Sequence, residues 1–109
     1  GAETETVSFL LAILTPDQQL KLLSVENGDG NTALHYAARW GHTETVKTLL
    51  DNITPESWPQ LLSVKNKKGN TPSQEAAGKF GTSDTMRTLG QYQIKADNEV
   101  SYRKFAKST

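Results

Sequence analysis

The sequence predicts an all-α solenoid: a stack of helix–turn–helix layers with β-turn loops projecting from one side. Two observations lead there. The first is an internal period. "TPDQQLKLLSV" at 15–25 and "TPESWPQLLSV" at 54–64 share one frame, 39 positions apart, and a fixed period of about 20–50 residues marks a stacked-repeat architecture. The second is composition. Apolar residues make up 35% of the 109, few for a single deep core but enough for a thin stack whose layers bury only the faces they share.

The period holds along most of the chain. Thr4-Glu5-Thr6-Val7 recurs as Thr43-Glu44-Thr45-Val46, and Leu10-Leu11 as Leu49-Leu50. Asn27 recurs as Asn66, Gly30-Asn31-Thr32 as Gly69-Asn70-Thr71, and Ala37-Ala38 as Ala76-Ala77. After Ala77 one extra residue shifts the offset to 40, pairing Gly41 with Gly81, Thr48 with Thr88 and Leu49 with Leu89.

The elements follow in chain order. Thr4 opens a helix whose apolar residues are Val7, Leu10, Leu11 and Leu14. Thr15-Pro16-Asp17-Gln18 starts another, with Thr as N-cap, Pro at the first helical position and Gln completing a capping box. The two Thr-Pro frames are therefore expected to start short extra helices joining one layer to the next, with Leu-Leu-Ser-Val packing back on the stack. "ENGDGNT" and "KNKKGNT" are turn chemistry, rich in Gly and Asn. Thr32 caps a helix in which Leu34, Ala37 and Ala38 share one narrow face. Gly41 stops that helix. Thr43 then caps a second helix, with Glu44 in its first turn and Val46, Leu49 and Leu50 as its stripe.

The second copy departs at Ser73 for Leu34, at Gln74 for His35 and at Gly78 beside the extra residue, as expected of a less buried terminal layer. Residues 92–109 follow no repeat pattern. "DNEVSYRKFAK" suits a short helix behind Asp97 or Asn98, with Val100 and Phe105 as its contacts, folding back on Ser73 and Met86 as a cap. The expected organisation is one domain: a half repeat plus linker helix over 2–26, repeats over 27–65 and 66–91, and a C-terminal cap or tail over 92–109.

"DGNTALHYAARWGHTETVKTLL" closely resembles the ankyrin-repeat signature of turn, Gly-x-Thr, Leu-His, paired alanines, Gly-His and an aliphatic outer helix. The resemblance is strong over 27–50 and weaker over 66–89, and over 2–14 it covers only an outer helix. Ankyrin repeats usually have a period of about 33 residues, so each layer here carries roughly six extra residues, in the Thr-Pro segment. The chain opens directly on an outer helix, which raises the expectation of a segment from a longer array. The resemblance implies structural roles for His35, between the helix start and the adjacent turns, and for His42. It also implies a concave, partner-facing surface. Residue by residue that surface is Gly28, Asp29, Asn31, Arg39 and Trp40 in the first full layer. In the second it is Lys67, Lys68, Asn70, Lys79 and Phe80. Arg and aromatic residues are enriched among binding hot spots. Trp40 and Phe80 also align between layers, so stacking on each other is an equal alternative.

Little else in the sequence carries chemistry. With no cysteine and two histidines that share no ligand spacing, no metal or cofactor is expected. "AAGKFGT" lacks the earlier glycine of a phosphate loop, and Phe80 stands where Ser or Thr would hold magnesium. Asn52-Ile53-Thr54 is a glycosylation acceptor in form only, followed by Pro55. The apolar run "VSFLLAIL" at 7–14 is too short to span a bilayer and lacks the flanks of a signal peptide. A non-catalytic, cytoplasmic, monomeric module that binds a protein or peptide is the expectation. The alternative is the targeting arm of a larger scaffold or secreted bacterial effector. Residues 1–59 hold three basic and eight acidic side chains, and residues 60–109 nine and four. These opposite surpluses are either solvated faces of complementary layers or, in the basic half, a surface for an acidic partner. Nucleic-acid binding by the basic half is the weaker rival, because its lysines are not interleaved with stacking aromatics and the acidic half repels phosphate.

Overall fold

The computed structural model describes the backbone of residues 2–108 and the side chains of residues 4–100. Among the described residues there is no strand. Three outer helices, α1 (Ala2–Ala12), α4 (Thr43–Asp51) and α7 (Ser83–Ser108), form one row, with α1 against α4 and α4 against α7. Two inner helices, α3 (Ala33–Arg39) and α6 (Pro72–Ala76), pack on each other in a second row. The linker helices α2 (Pro16–Leu23) and α5 (Trp58–Ser63) occupy the Thr-Pro segments, and α5 is entered through a 3₁₀ turn at Pro55–Ser57. The core runs between the rows, through Leu11, Leu34, Ala38, Val46, Leu50, Leu62, Ala76 and Leu89.

The helix starts follow local chemistry. Thr15, Thr32 and Thr71 each accept the N–H of the third helical residue, while Gln18, His35 and Gln74 at that position reach back to the cap backbone. Gly41, at φ 70°, ends α3 in a Schellman motif, with His42 N–H on Ala37 O (2.9 Å) and Gly41 N–H on Ala38 O (3.2 Å).

Three helix starts differ from expectation. Thr4 lies inside α1. Thr43 is not the cap of α4; that position is His42, without a side-chain bond. Thr43 instead turns its hydroxyl to Thr85 of α7 (2.7 Å) and ties two outer helices together. Thr54 makes no capping bond either. Its counterpart Thr15 has Gln18 three residues on, long enough to reach back, whereas Thr54 has Ser57, whose short side chain meets only the Thr54 hydroxyl (3.3 Å). A 3₁₀ turn results in place of a first α-turn.

The largest difference is at the C-terminal end. No separate helix starts at Asp97 or Asn98; α7 runs unbroken from Ser83 to Ser108. A straight helix cannot return onto Met86, which lies in α7 itself and is exposed. Gly90 is the only breaker within it, and a mid-helix glycine costs about 1 kcal/mol without ending the helix. Beyond Gly90 the helix packs on α5. Tyr92 meets Trp58 edge-on (centroids 5.0 Å, 90°), its hydroxyl donates to Asp51, and Ala96 is fully buried. Trp58 Nε1 in turn donates to Leu50 O (2.8 Å). Val100 is exposed, and the Phe105 side chain lies outside the described residues.

Equivalent repeat positions are not equally buried. Leu49 and Leu61 are 5% and 2% exposed, while Leu10 and Leu22, 39 positions earlier, are 48% and 51% exposed. With Phe9, Ile13 and Val25 also exposed, α1 and α2 present an apolar face away from the stack.

Candidate functional site

The two projecting turns are built alike. Asn27 Oδ1 accepts the N–H groups of Asp29 and Asn31 (3.0 Å each), and Asn66 Oδ1 accepts those of Lys68 and Asn70 (3.0 Å each). Gly30 sits at φ 76°, and a Cβ there would lie 3.0 Å from Lys67 N, so both the conformation and the close approach of the turns call for glycine. The turns are laced together. Lys67 N–H donates to Asp29 O (3.0 Å), and Asn66 Nδ2 donates to Asn31 Oδ1 (2.9 Å).

Beneath them lies His35, fully buried. Its Nδ1 accepts the Thr32 N–H (3.2 Å), which puts the ring proton on Nε2, 2.9 Å from Asn70 O. One imidazole thus joins the start of its own helix to the next turn. Surface loops are ordinarily mobile; these are braced by backbone, amide and imidazole bonds.

The expected surface residues converge beside these turns. Asp29, Asn31, Arg39, Lys67 and Lys68 line a hollow of about 130 Å³. Arg39 and Lys68 continue into a second hollow of about 220 Å³, with Asn70, Lys79 and Phe80. Trp40 joins it by stacking on Phe80 (centroids 4.7 Å, 29°). Stacking and exposure coexist here, since Trp40 remains 46% and Phe80 51% exposed. Arg39 Cζ lies 6.0 Å from the Trp40 centroid and Lys79 Nζ 5.4 Å from that of Phe80. A row of cations therefore runs beside a row of aromatics, one member from each layer. Asn31 is buried at the floor, its side chain engaged with Asn66, and Gly28 is exposed on the first turn without lining either hollow.

Sequence reasoning missed Glu75. It lies at the floor of both hollows, 8% exposed. Asn70 Nδ2 donates to its Oε2 (2.7 Å), and Arg39 Nε stands 3.6 Å from its Oε1. The Asn70 hydrogen bond is the main reason its carboxyl titrates below the usual range. Burial opposes this, and Asn66, Arg39 and Lys68 reinforce it. Tyr36, which occupies the same repeat position one layer earlier, was missed as well. It is exposed, and its hydroxyl accepts from Asn27 Nδ2 (2.6 Å). The signal for Glu75 was a charge three residues after Pro72 and next to Ala76, the two apolar residues of a five-residue helix.

A family model described as "Ankyrin repeats (3 copies)" matches residues 1–101. The chain is an ankyrin-repeat protein. Comparison with curated proteins and with solved structures gives no match. Ankyrin repeats are generally protein–protein interaction modules and typically non-catalytic. Among the described residues, no group of three His, Cys, Asp or Glu side chains could hold a metal ion. None of their helices is long and apolar enough to cross a membrane.

Proposed function

We propose that this ankyrin-repeat protein binds a protein or peptide partner on its concave face, without chemistry of its own. The aromatic pair Trp40–Phe80 is the centre of that face, Arg39 and Lys79 flank it, and Lys67 and Lys68 form a positive rim at the turn tips. Asp29 borders the rim, and Asn31 and Asn70 hold its shape. The observation that carries this reading is the stacked pair itself. Two large rings from successive layers are half-exposed on a surface whose loops are already braced, so binding orders few side chains.

The charges favour an acidic partner. Glu75 offsets Arg39, which leaves Lys67, Lys68 and Lys79 against Asp29 alone among the residues lining the hollows.

The test is capture of the partner from lysate by wild-type and variant chains, with melting curves in parallel. Truncating a central hot spot costs about 2 kcal/mol or more, whereas rim charges act mainly on the on-rate. Arg39→Ala with Trp40→Ala should abolish capture. Lys67→Glu with Lys68→Glu should weaken it in a salt-dependent way. A folded double variant that captures the same partner with unchanged affinity defeats the assignment.

A further inference from the structure

We propose that Glu75 clasps Arg39 so that its terminal guanidinium nitrogens read a carboxylate of the partner, beside an apolar partner side chain seated on Trp40 and Phe80. This rests on the concave-face reading and adds the chemical class of the ligand and a positioning residue to it.

Arg39 is engaged on one edge only. It is the last residue of α3, and its Nε edge faces Glu75 Oε1 at 3.6 Å. Among the described residues its side chain makes no hydrogen bond and no other ion pair, and 37% of it is exposed. The contact thus uses the Nε edge and leaves the two terminal nitrogens free. That free edge has the planar two-donor geometry that matches a carboxylate.

The clasp is itself fixed. Glu75 is buried, and its second oxygen accepts from Asn70, whose backbone carbonyl faces His35 Nε2. A free arginine loses much rotamer entropy when it engages a ligand; one already paired with a fixed carboxylate loses less. Glu75 touches no ligand in this account. It acts through Arg39.

The neighbouring surface sets the rest of the ligand. The exposed rings of Trp40 and Phe80 offer an apolar platform next to the fork. The partner segment therefore presents an acidic and an apolar side chain next to each other on one face. A site working by net positive field alone predicts something different. Glu75→Gln removes a negative charge from the hollow, so a field would hold acidic ligands more tightly. Loss of the clasp makes it hold them less tightly. The two accounts differ in sign.

The experiment selects displayed random peptides on the full chain and synthesises the best binder twice, with its acidic residue as Glu and as Gln. The readout is the ratio of the two affinities, which a general loss of structure would not move selectively. For the wild type the Glu form should be favoured by about tenfold or more, as expected of a charge-assisted bidentate contact. Arg39→Lys keeps the charge but loses the fork, and Glu75→Gln loses the clasp; each should bring the ratio close to one. A ratio that stays put in Arg39→Lys, or that stays put or rises in Glu75→Gln, overturns the proposal, as do selected peptides without acidic residues. If Glu75→Gln melts too early to assay, Glu75→Asp, which keeps the charge but draws the carboxylate back from Nε, takes its place and should likewise lower the ratio. Peptides that bind a folded Trp40→Ala variant undiminished lie elsewhere, and that outcome sinks the concave-face reading itself.

Discussion

His35 Nε2 lies 2.9 Å from the carbonyl oxygen of Asn70, 35 positions further along the chain. The bond crosses from one layer to the next, and its other ring nitrogen is held by Thr32. Replacing the ring by a methyl leaves the buried Thr32 N–H and the half-buried Asn70 carbonyl without it. His35→Ala should therefore cost about 1–3 kcal/mol, read as a lowered denaturation midpoint. An unchanged midpoint would show that the layers register without it.

Tyr92 gives a second prediction, because it couples the C-terminal half of α7 to α5. Tyr92→Ala removes a buried ring packed edge-on against Trp58 and should cost about 3–5 kcal/mol. Removing residues 92–109 should lower the melting midpoint at least as far. Equal melting of the full and shortened chains would mean that this packing contributes nothing.

Leu22 and Leu61 occupy the same repeat position with opposite burial. Leu61→Ala should cost about 2–5 kcal/mol, while Leu22→Ala should stay within about 0.5 kcal/mol. Matching losses would show that a cover on α2 equals the one on α5.

Glu75 makes stability depend on pH in a stated direction. Its folded carboxyl holds a proton less tightly than the unfolded one, whose ordinary value is 4.5. As pH falls, the unfolded chain takes up the proton first, so the stabilisation is present above 4.5 and lost as pH drops through the folded value. The stability difference between wild type and Glu75→Gln, measured by urea unfolding, should be widest near neutrality and shrink below 4.5. A gap independent of pH would refute the assignment.

What the sequence disclosed followed from chemistry between near neighbours. Thr15 with Gln18, and Thr32 before an apolar face, announce helix starts because both halves of each cap are three residues apart. Gly41 announces a stop because its φ suits glycine. Arg39, Trp40, Lys79 and Phe80 were legible as neighbours because the ankyrin resemblance maps them onto equivalent positions of two layers.

The hidden features depend on partners far apart in sequence. Thr43 reads as a cap until Thr85 is found beside it. Glu75 aligns with Tyr36, whose exposed ring gives no hint of a buried carboxylate. The length of α7 was illegible because Tyr92 packs on Trp58, a residue of the linker segment rather than of a repeat helix.

The most direct measurement is site-specific photocrosslinking to the captured partner from three exposed positions. Gln74 lines the second concave hollow, Arg87 lies on the outer helix row, and Leu22 lies on the linker helix α2. A partner seated across Trp40 and Phe80 should give an adduct from position 74 and none from 87 or 22. An adduct from 87 or 22, with none from 74, would contradict the concave-face account.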